Sequence, residues 1–171
     1  PALPFDTVAL VLQGGGALGA YQAGVLEGLF EAEIAPGWVA GVSIGAIQAA
    51  LIAGNAPQDR VPRLREFWNT VCQPPHLQPT AAWLEAAVET LGGMARQQLN
   101  AWHAWRALLE GQRGFFVPRG VAPWLGLASA PAAASFYDTT PLKQTLQAMV
   151  DFERLNDPAT MRVTVAAVNV A

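Results

Sequence analysis

The chain has 171 residues, which suits one domain or part of a larger one. Apolar residues make up 52% of the sequence and charged residues only 13%, a composition that argues against intrinsic disorder. One cysteine and two histidines are too few for a disulfide framework, a cysteine-based zinc site or a multi-histidine metal centre. The net charge of −3 gives no reason to expect nucleic acid.

Charge is distributed unevenly along the chain. Residues 1–59 contain five acidic residues and no basic one, whereas residues 60–119 contain seven arginines and four glutamates. These blocks are either solvated faces of different elements or, for the basic middle, a surface that meets an anionic partner.

The uncharged stretch at residues 34–58 has the length of a membrane span but not its composition. Prolines and glycines interrupt it, so no unbroken apolar helix of about 20 residues fits. The start of the sequence shows no secretory signal pattern. We therefore expect a cytoplasmic protein, with peripheral contact at the inner membrane as a further expectation.

The first third of the chain predicts a repeated order of strand, glycine turn and helix. Residues 7–13 are apolar and partly β-branched, as in a buried strand, and a glycine cluster follows them. Residues 38–42 form a second apolar strand, and residues 46–53 continue as an apolar helix. Between the strands, apolar residues recur at helical spacing: Leu18, Tyr21, Val25, Leu26, Leu29 and Phe30. This order is typical of a mostly parallel sheet covered by helices, the α/β class.

The rest of the chain predicts helices and one more strand. Residues 60–71 read as an amphipathic helix, and residues 81 to about 111 have helical composition. Residues 114–134 read as an irregular apolar loop. Thr140 is a good N-cap for a helix that begins at Pro141, and residues 161–170 predict a third buried strand.

These elements predict one domain over residues 1–171, with a helical, tryptophan-rich insertion at about residues 72–134. Three parallel strands make a small sheet with open edges, so we expect the domain to be incomplete in this chain. The aromatic residues of the insertion either face lipid or fill a small core of their own.

The glycine cluster admits several interpretations. Gly14, Gly16 and Gly19 match the dinucleotide-binding pattern, but no acidic residue follows the second strand, where the ribose would need one. The Lys and Ser/Thr of a phosphate-binding P-loop are also missing. The cluster can instead be an anion cradle, for a phosphate or for the oxyanion of an ester under attack, or a turn without chemistry.

The second glycine turn favours ester chemistry. Residues 41–45 read G-x-S-x-G between a strand and a helix, which is the context of a nucleophile elbow. Gly41 and Gly45 allow the strained turn, and Ser43 is the predicted nucleophile. Parallel strands would bring this turn and the glycine cluster to one edge of the sheet.

A base for this serine is not evident in the sequence. His76 lies among prolines and His103 lies in a helical, tryptophan-rich stretch, so both read more simply as surface or packing residues. Asp138 precedes a helix and reads as a local cap. The other aspartates, Asp6, Asp59, Asp151 and Asp157, offer no better candidate.

Taken together, the two motifs resemble those of the patatin-like phospholipases. The resemblance rests on the GGGALG stretch at residues 14–19 and the GVSIG stretch at residues 41–45, about 25 residues later. Residues 20–29 look like the bacterial members, and residues 136–156 are similar to one bacterial subgroup. Residues 72–134 match only as a variable helical insertion.

The resemblance implies a three-layer α/β/α fold with a mostly parallel central sheet. It also implies a lipid acyl hydrolase of the phospholipase A or lysophospholipase type, which uses a Ser–Asp dyad without metal or cofactor. Carried over by position, Ser43 is the nucleophile, and the backbone amides of Gly14, Gly15 and Gly16 form the oxyanion hole. Phospholipids or other fatty-acyl esters are the implied substrates.

Two positions depart from the family pattern. Leu18 stands where the family often has arginine or lysine, which removes a side-chain cation but leaves the backbone amides unchanged. The family's Asp-Gly motif is not present, and the resemblance places it after residue 171. We therefore expect the catalytic aspartate outside this chain and little turnover from the 171 residues alone. The alternatives are an α/β-hydrolase with a Ser-His-Asp triad and a non-catalytic lipid- or membrane-binding module.

Overall fold

A computed structural model describes residues 4–72, 93–120, 135–157 and 159–168. The strands are β1 (Ala9–Leu12), β2 (Trp38–Val42), β3 (Val117–Pro118), β4 (Tyr137–Asp138) and β5 (Arg162–Ala166). The α-helices are α1 (Gly19–Glu31), α2 (Ile44–Ala53), α3 (Arg60–Val71), α4 (Gly93–Glu110), α5 (Thr140–Met149) and α6 (Phe152–Leu155). Short 3₁₀ helices precede α1 and α3, at Gly16–Leu18 and Pro57–Asp59. The sequence predictions on His76, and on residues 73–92 and 121–134 of the tryptophan-rich insertion, concern residues outside these described ranges.

The contacts divide the chain into two compact units. One unit combines Pro1–Asn69 with Leu146–Ala171, and the other is Thr70–Thr145. The first unit contains the parallel sheet and both glycine motifs, so we call it the sheet unit. The second contains α4 and a small antiparallel ladder, and we call it the α4 unit.

The sheet is parallel and has the strand order β1-β2-β5. Ala9 lies opposite Trp38 at one end of the first pair, and Trp38 lies opposite Arg162 in the second. Parallel neighbours require a crossover between them. α1 connects β1 to β2, and the longer connection from β2 to β5 begins with α2. The predicted α/β class with a mostly parallel sheet is therefore confirmed.

Helix α2 forms the centre of the core. Its sequence is almost entirely apolar, so it can be buried on several sides. Side chains of α1 and α3 hydrogen-bond to Gln48 of α2, so these three helices pack together in one layer. The largest buried side chains of this layer come from α1, α2 and α3: Leu26, Leu51, Ile52, Leu64 and Phe67.

Two predictions about burial were wrong in detail. Leu18, in the 3₁₀ helix before α1, and Tyr21, on α1, belong to the predicted apolar helical face, but they are 68% and 79% exposed, whereas Leu26 is fully buried. The predicted third strand is shorter than residues 161–170, and it lies at one end of the strand order, so Val165 is 59% exposed. Periodicity identified these elements correctly but did not decide which neighbours cover them.

The α4 unit joins a long helix to a two-stranded ladder. β3 pairs antiparallel with β4, so the irregular loop predicted from residue 114 onwards contains a short strand. The ring of Phe116 meets the ring of Tyr137 edge to face at 4.8 Å, and the Tyr137 hydroxyl donates to the Leu108 carbonyl of α4 at 3.1 Å. In the described part of the chain, no helix is both long and apolar enough to cross a membrane.

Candidate active site at the carboxyl edge of the sheet

Two loops meet at the carboxyl edge of the sheet. β1 ends at Leu12 and β2 ends at Val42, and the parallel pairing places Leu12 opposite Gly41. The glycine loop, residues 14–19, and the serine turn, residues 41–45, therefore follow neighbouring strands at the same edge. In open α/β sheets this edge is where ligand sites form.

Ser43 occupies the tight turn between β2 and α2. Its backbone has φ 56° and ψ −126°, a conformation that residues with a side chain rarely adopt. A serine before a helix ordinarily accepts a hydrogen bond from a helix amide, but the Ser43 side chain makes no such bond. The Ser43 carbonyl instead accepts from the amides of Ala46 and Ile47, at 2.9 and 3.3 Å. The hydroxyl therefore belongs to an exposed residue at the N-terminus of α2 and is not used for capping.

Neighbouring backbone lies too close to both flanking glycines for a side chain to fit. A methyl group at Gly41 would overlap the Gly45 carbonyl group and approach the Ala46 nitrogen to 2.6 Å. A methyl group at Gly45 would overlap the Leu12 carbonyl group. This second contact packs the start of α2 directly on the end of β1, so the turn that carries Ser43 is fixed against the sheet.

Gly14 brings the glycine loop into contact with the serine. A methyl group at Gly14 would lie 3.2 Å from Cβ and 3.8 Å from Oγ of Ser43. The loop then turns through Gly15 and Gly16, whose φ angles of 137° and 55° favour glycine. The structure thus brings all the residues that the sequence singled out for the nucleophile and the oxyanion hole to one place.

The glycine loop leads into α1, so the N-terminal end of that helix, with its free amide groups, adjoins the loop. Gly15 and Gly16 are exposed, and the Leu18 amide closes the turn on the Gly15 carbonyl at 3.2 Å. The positive end of a helix and exposed backbone amides attract negative charge. The loop can therefore hold an anion, or the oxyanion that forms when an ester is attacked.

The patatin-like phospholipase family model matches residues 10–170, which includes both loops. The chain belongs to this family. No curated protein and no solved structure matches the patatin-like chain. The family consists of lipid acyl hydrolases, so membership indicates a hydrolase that acts on lipid esters. The likeness to bacterial members remains a prediction.

Asp138 and Asp151 of this patatin-like chain serve local structure. Asp138 accepts from the amide and the hydroxyl of Thr140, at 2.9 and 2.7 Å, and these bonds, with Arg119 nearby, hold the pKa of its carboxyl below the usual range. Asp151 caps α6 by accepting from the amides of Glu153 and Arg154. The local bonding of Asp138 at the start of α5 agrees with its expected role, whereas the cap formed by Asp151 was not predicted.

No side chain in the described ranges hydrogen-bonds to the Ser43 hydroxyl, so no base is identified there. His103 is an exposed residue of α4, as expected for a surface histidine. Among the described residues, no group of three or more histidines, cysteines, aspartates or glutamates is arranged to hold a metal ion.

Sequence reasoning missed one polar residue beside the serine turn. Gln48 lies one turn into α2 and is only 1% exposed, although the helix around it is apolar. Its amide bonds to side chains of α1 and α3. A single glutamine in an otherwise apolar helix could have indicated this role, because a buried amide must have hydrogen-bond partners.

Proposed function

We propose that this chain carries the nucleophile and the oxyanion hole of a serine lipid acyl hydrolase of the phospholipase A or lysophospholipase type. The observation that carries the proposal is the backbone of Ser43: a non-glycine residue held at φ 56° at the start of a helix, with no side-chain cap. Such strain persists where function requires the geometry. Gly14 lies beside this serine, where the amides of the glycine loop can donate to the oxygen of the carbonyl group that Ser43 attacks.

The proposed reaction proceeds through an acyl-enzyme. A carboxylate takes the proton from the Ser43 hydroxyl, and Oγ attacks the acyl carbonyl of the lipid. The carbonyl oxygen becomes an oxyanion, which the amides of Gly14, Gly15 and Gly16 stabilise together with the positive end of α2. The C–O bond to the glycerol oxygen breaks and that alcohol leaves with a proton. Water then hydrolyses the acyl-serine ester.

The base in this proposal is an aspartate in a Ser–Asp dyad. Asp138, Asp151 and Asp157 are engaged in caps and turns. We take the carboxylate from the resemblance, which places it in an Asp-Gly motif after residue 171. One donor of an oxyanion hole is worth roughly 3–4 kcal/mol of transition-state stabilisation, so the glycine loop is a large part of the proposed rate enhancement.

The first test is covalent labelling of the complete native polypeptide with a fluorophosphonate. We expect one adduct, which tandem mass spectrometry maps to Ser43, together with release of fatty acid from phospholipid or lysophospholipid vesicles. A folded full-length protein that forms no adduct and releases no fatty acid would contradict the hydrolase. If that protein still bound vesicles, the function proposed for it would change from a hydrolase to a non-catalytic lipid-binding module.

Contact with a lipid surface is the second part of the proposal, and α4 supports it. Trp102, Trp105 and Leu109 follow the spacing of one helical face and are 61%, 62% and 67% exposed. This exposure favours a lipid-facing surface over a small separate core. Tryptophan is suited to the headgroup level of a bilayer.

Binding to vesicles checks this second part. With vesicles of zwitterionic phospholipid, we expect a blue shift of tryptophan emission and co-sedimentation of the protein. Trp102→Ser combined with Trp105→Ser should lower the vesicle affinity at least about fivefold, because two large apolar surfaces no longer leave water. Unchanged vesicle affinity in the double variant would remove α4 from the proposal.

A further inference from the structure

A series of side-chain hydrogen bonds connects the glycine loop to three helices of the sheet unit. The Trp68 Nε1–H group donates to Gln48 Oε1 at 3.3 Å, and Gln48 Nε2 donates to Gln22 Oε1 at 2.8 Å. Gln22 Nε2 donates in turn to the Gln13 carbonyl oxygen at 3.0 Å. We call these three side chains and that carbonyl the glutamine relay. It runs from α3 through α2 and α1 to the residue before the glycine loop.

The direction of the glutamine relay is chemically determined at both ends. The indole of Trp68 can only donate, and the Gln13 carbonyl can only accept. Gln48 must therefore turn its oxygen toward Trp68 and its NH₂ group toward Gln22, and Gln22 must orient in the same sense. Gln48 is 1% exposed, so water cannot replace its two bonds without opening the core, whereas the bond from Gln22 to the Gln13 carbonyl lies at the exposed end of the relay.

The end of the relay controls a peptide group of the proposed oxyanion hole. The Gln13 carbonyl and the Gly14 amide belong to one planar trans peptide, so their C=O and N–H bonds point in opposite directions. A hydrogen bond that holds the Gln13 oxygen toward α1 consequently fixes the direction of the Gly14 N–H. Gly14 is the residue that contacts Ser43.

The other end of the glycine loop is packed against the same residues. A methyl group at Gly19 would lie 2.8 Å from side-chain atoms of Ile44 and Trp68, and 3.0 Å from Gln48 Nε2. The exposed part of the loop therefore lies between two points, Gln13 and Gly19, that both contact the relay. Ile44 directly follows Ser43, so the same packing reaches the serine turn.

From this geometry we infer that Gln48 is a positioning residue of the active site, which acts through Gln22 to hold the Gly14 amide in place beside Ser43. The inference rests on the proposed function, because it assigns the relay to the oxyanion hole of that reaction. Gln48 itself touches neither substrate nor reacting atoms. Its loss should therefore lower kcat and leave KM nearly unchanged.

The sharpest test is Gln48→Glu in the full-length enzyme, with kcat measured from pH 5 to 9 as a ratio to wild type. A protonated carboxyl has one donor and one acceptor and can replace the amide in the relay. The ionised carboxylate has no donor, so Gln22 must turn its NH₂ group toward it and release the Gln13 carbonyl. We expect the ratio to fall at least tenfold as pH rises. The fall should occur at a pH above the usual range for glutamate, because burial disfavours the charged form of the introduced carboxyl.

The ratio to wild type removes the titration of other groups, which both proteins share. The charged side chains that line the neighbouring cleft between α1 and α3 are Glu27 and Arg65, and they pair with each other at 2.5 Å. The α2 segment itself carries no charged residue. The introduced carboxyl is thus the group that distinguishes the two pH profiles.

A double-mutant cycle gives an independent readout. Gln48→Met and Gln22→Met should each reduce kcat about 10- to 100-fold, a part of the effect of losing one oxyanion donor. The double variant should be no slower than the slower single variant, because either change already breaks the relay. Gln144→Met, at an exposed glutamine of α5, is the matched control and should keep full kcat.

The outcomes separate this inference from the proposed function. If wild type hydrolyses lipid and labels at Ser43, but the Gln48→Glu ratio is flat and the two methionine changes are additive, the relay has only a structural role and the inference is overturned. If wild type neither labels nor hydrolyses, the proposed function fails first. The thermal unfolding of each variant is measured, and kcat is compared with wild type at a temperature below the unfolding transition. This comparison distinguishes a misfolded protein from a folded one in which the Gly14 amide is misplaced.

Discussion

Replacing Ser43 with alanine is expected to lower kcat for lipid-ester hydrolysis by roughly 10³-fold or more. The substitution removes the nucleophilic oxygen and keeps Cβ, so the contact with Gly14 remains. Since the Ser43 side chain makes no capping bond, its loss should leave folding almost unchanged. Fatty-acid release from phospholipid vesicles measures the effect, with fluorophosphonate labelling of the same samples.

Two further variants make this expectation specific. Ser135→Ala removes an exposed serine that donates to the Tyr137 carbonyl, and it should keep full activity. Ser43→Gly should be equally inactive but more stable by about 1 kcal/mol, since glycine relieves the strain of φ 56°. Activity above a tenth of wild type in Ser43→Ala would show that the serine turn does not supply the nucleophile.

The second large effect is expected from Gly45→Ala, which should destabilise the protein by about 3 kcal/mol or more. A methyl group here would overlap the Leu12 carbonyl group and lie 2.9 Å from the Gln13 carbonyl oxygen. These neighbours are backbone atoms at the end of β1, where α2 packs on the strand. They cannot move without disturbing both elements. Whatever protein folds should also lose activity, since the serine turn and the glycine loop are pushed apart.

Gly28→Ala is the matched control for this change. Gly28 lies in α1 and has open space around its Cβ position, so alanine should stabilise the protein by up to about 1 kcal/mol through helix propensity. The urea midpoints of the two variants, with an unchanged dependence of the unfolding free energy on urea, give both changes in stability. If Gly45→Ala does not fold, the fraction of soluble protein is measured in its place. A urea midpoint for Gly45→Ala equal to that of Gly28→Ala would contradict the close packing of α2 on β1.

The strands, helices and turns that define the fold class of this protein are determined largely by short stretches of sequence. A β-branched apolar run, a glycine turn and an apolar helix are local patterns, because strand and helix periods and the needs of a tight turn act over a few residues. The α/β class, the parallel sheet and the two glycine motifs could therefore be predicted from the order of the residues. The position of Ser43 in a turn between strand and helix follows from Gly41 and Gly45 together with the apolar strand and helix on either side of them.

The tertiary structure decided which of these patterns meet. Leu18 and Tyr21 fit a buried helical face by their spacing, yet they are exposed, because burial depends on which elements pack against α1. Gln48 is an inconspicuous residue in the sequence, but packing of three helices surrounds it and gives both ends of its amide a partner. The sequence predicted that the loops of Gly14 and Ser43 lie at one edge of the sheet. The close approach of these two residues was decided by the register of β1 against β2, which places Leu12 opposite Gly41.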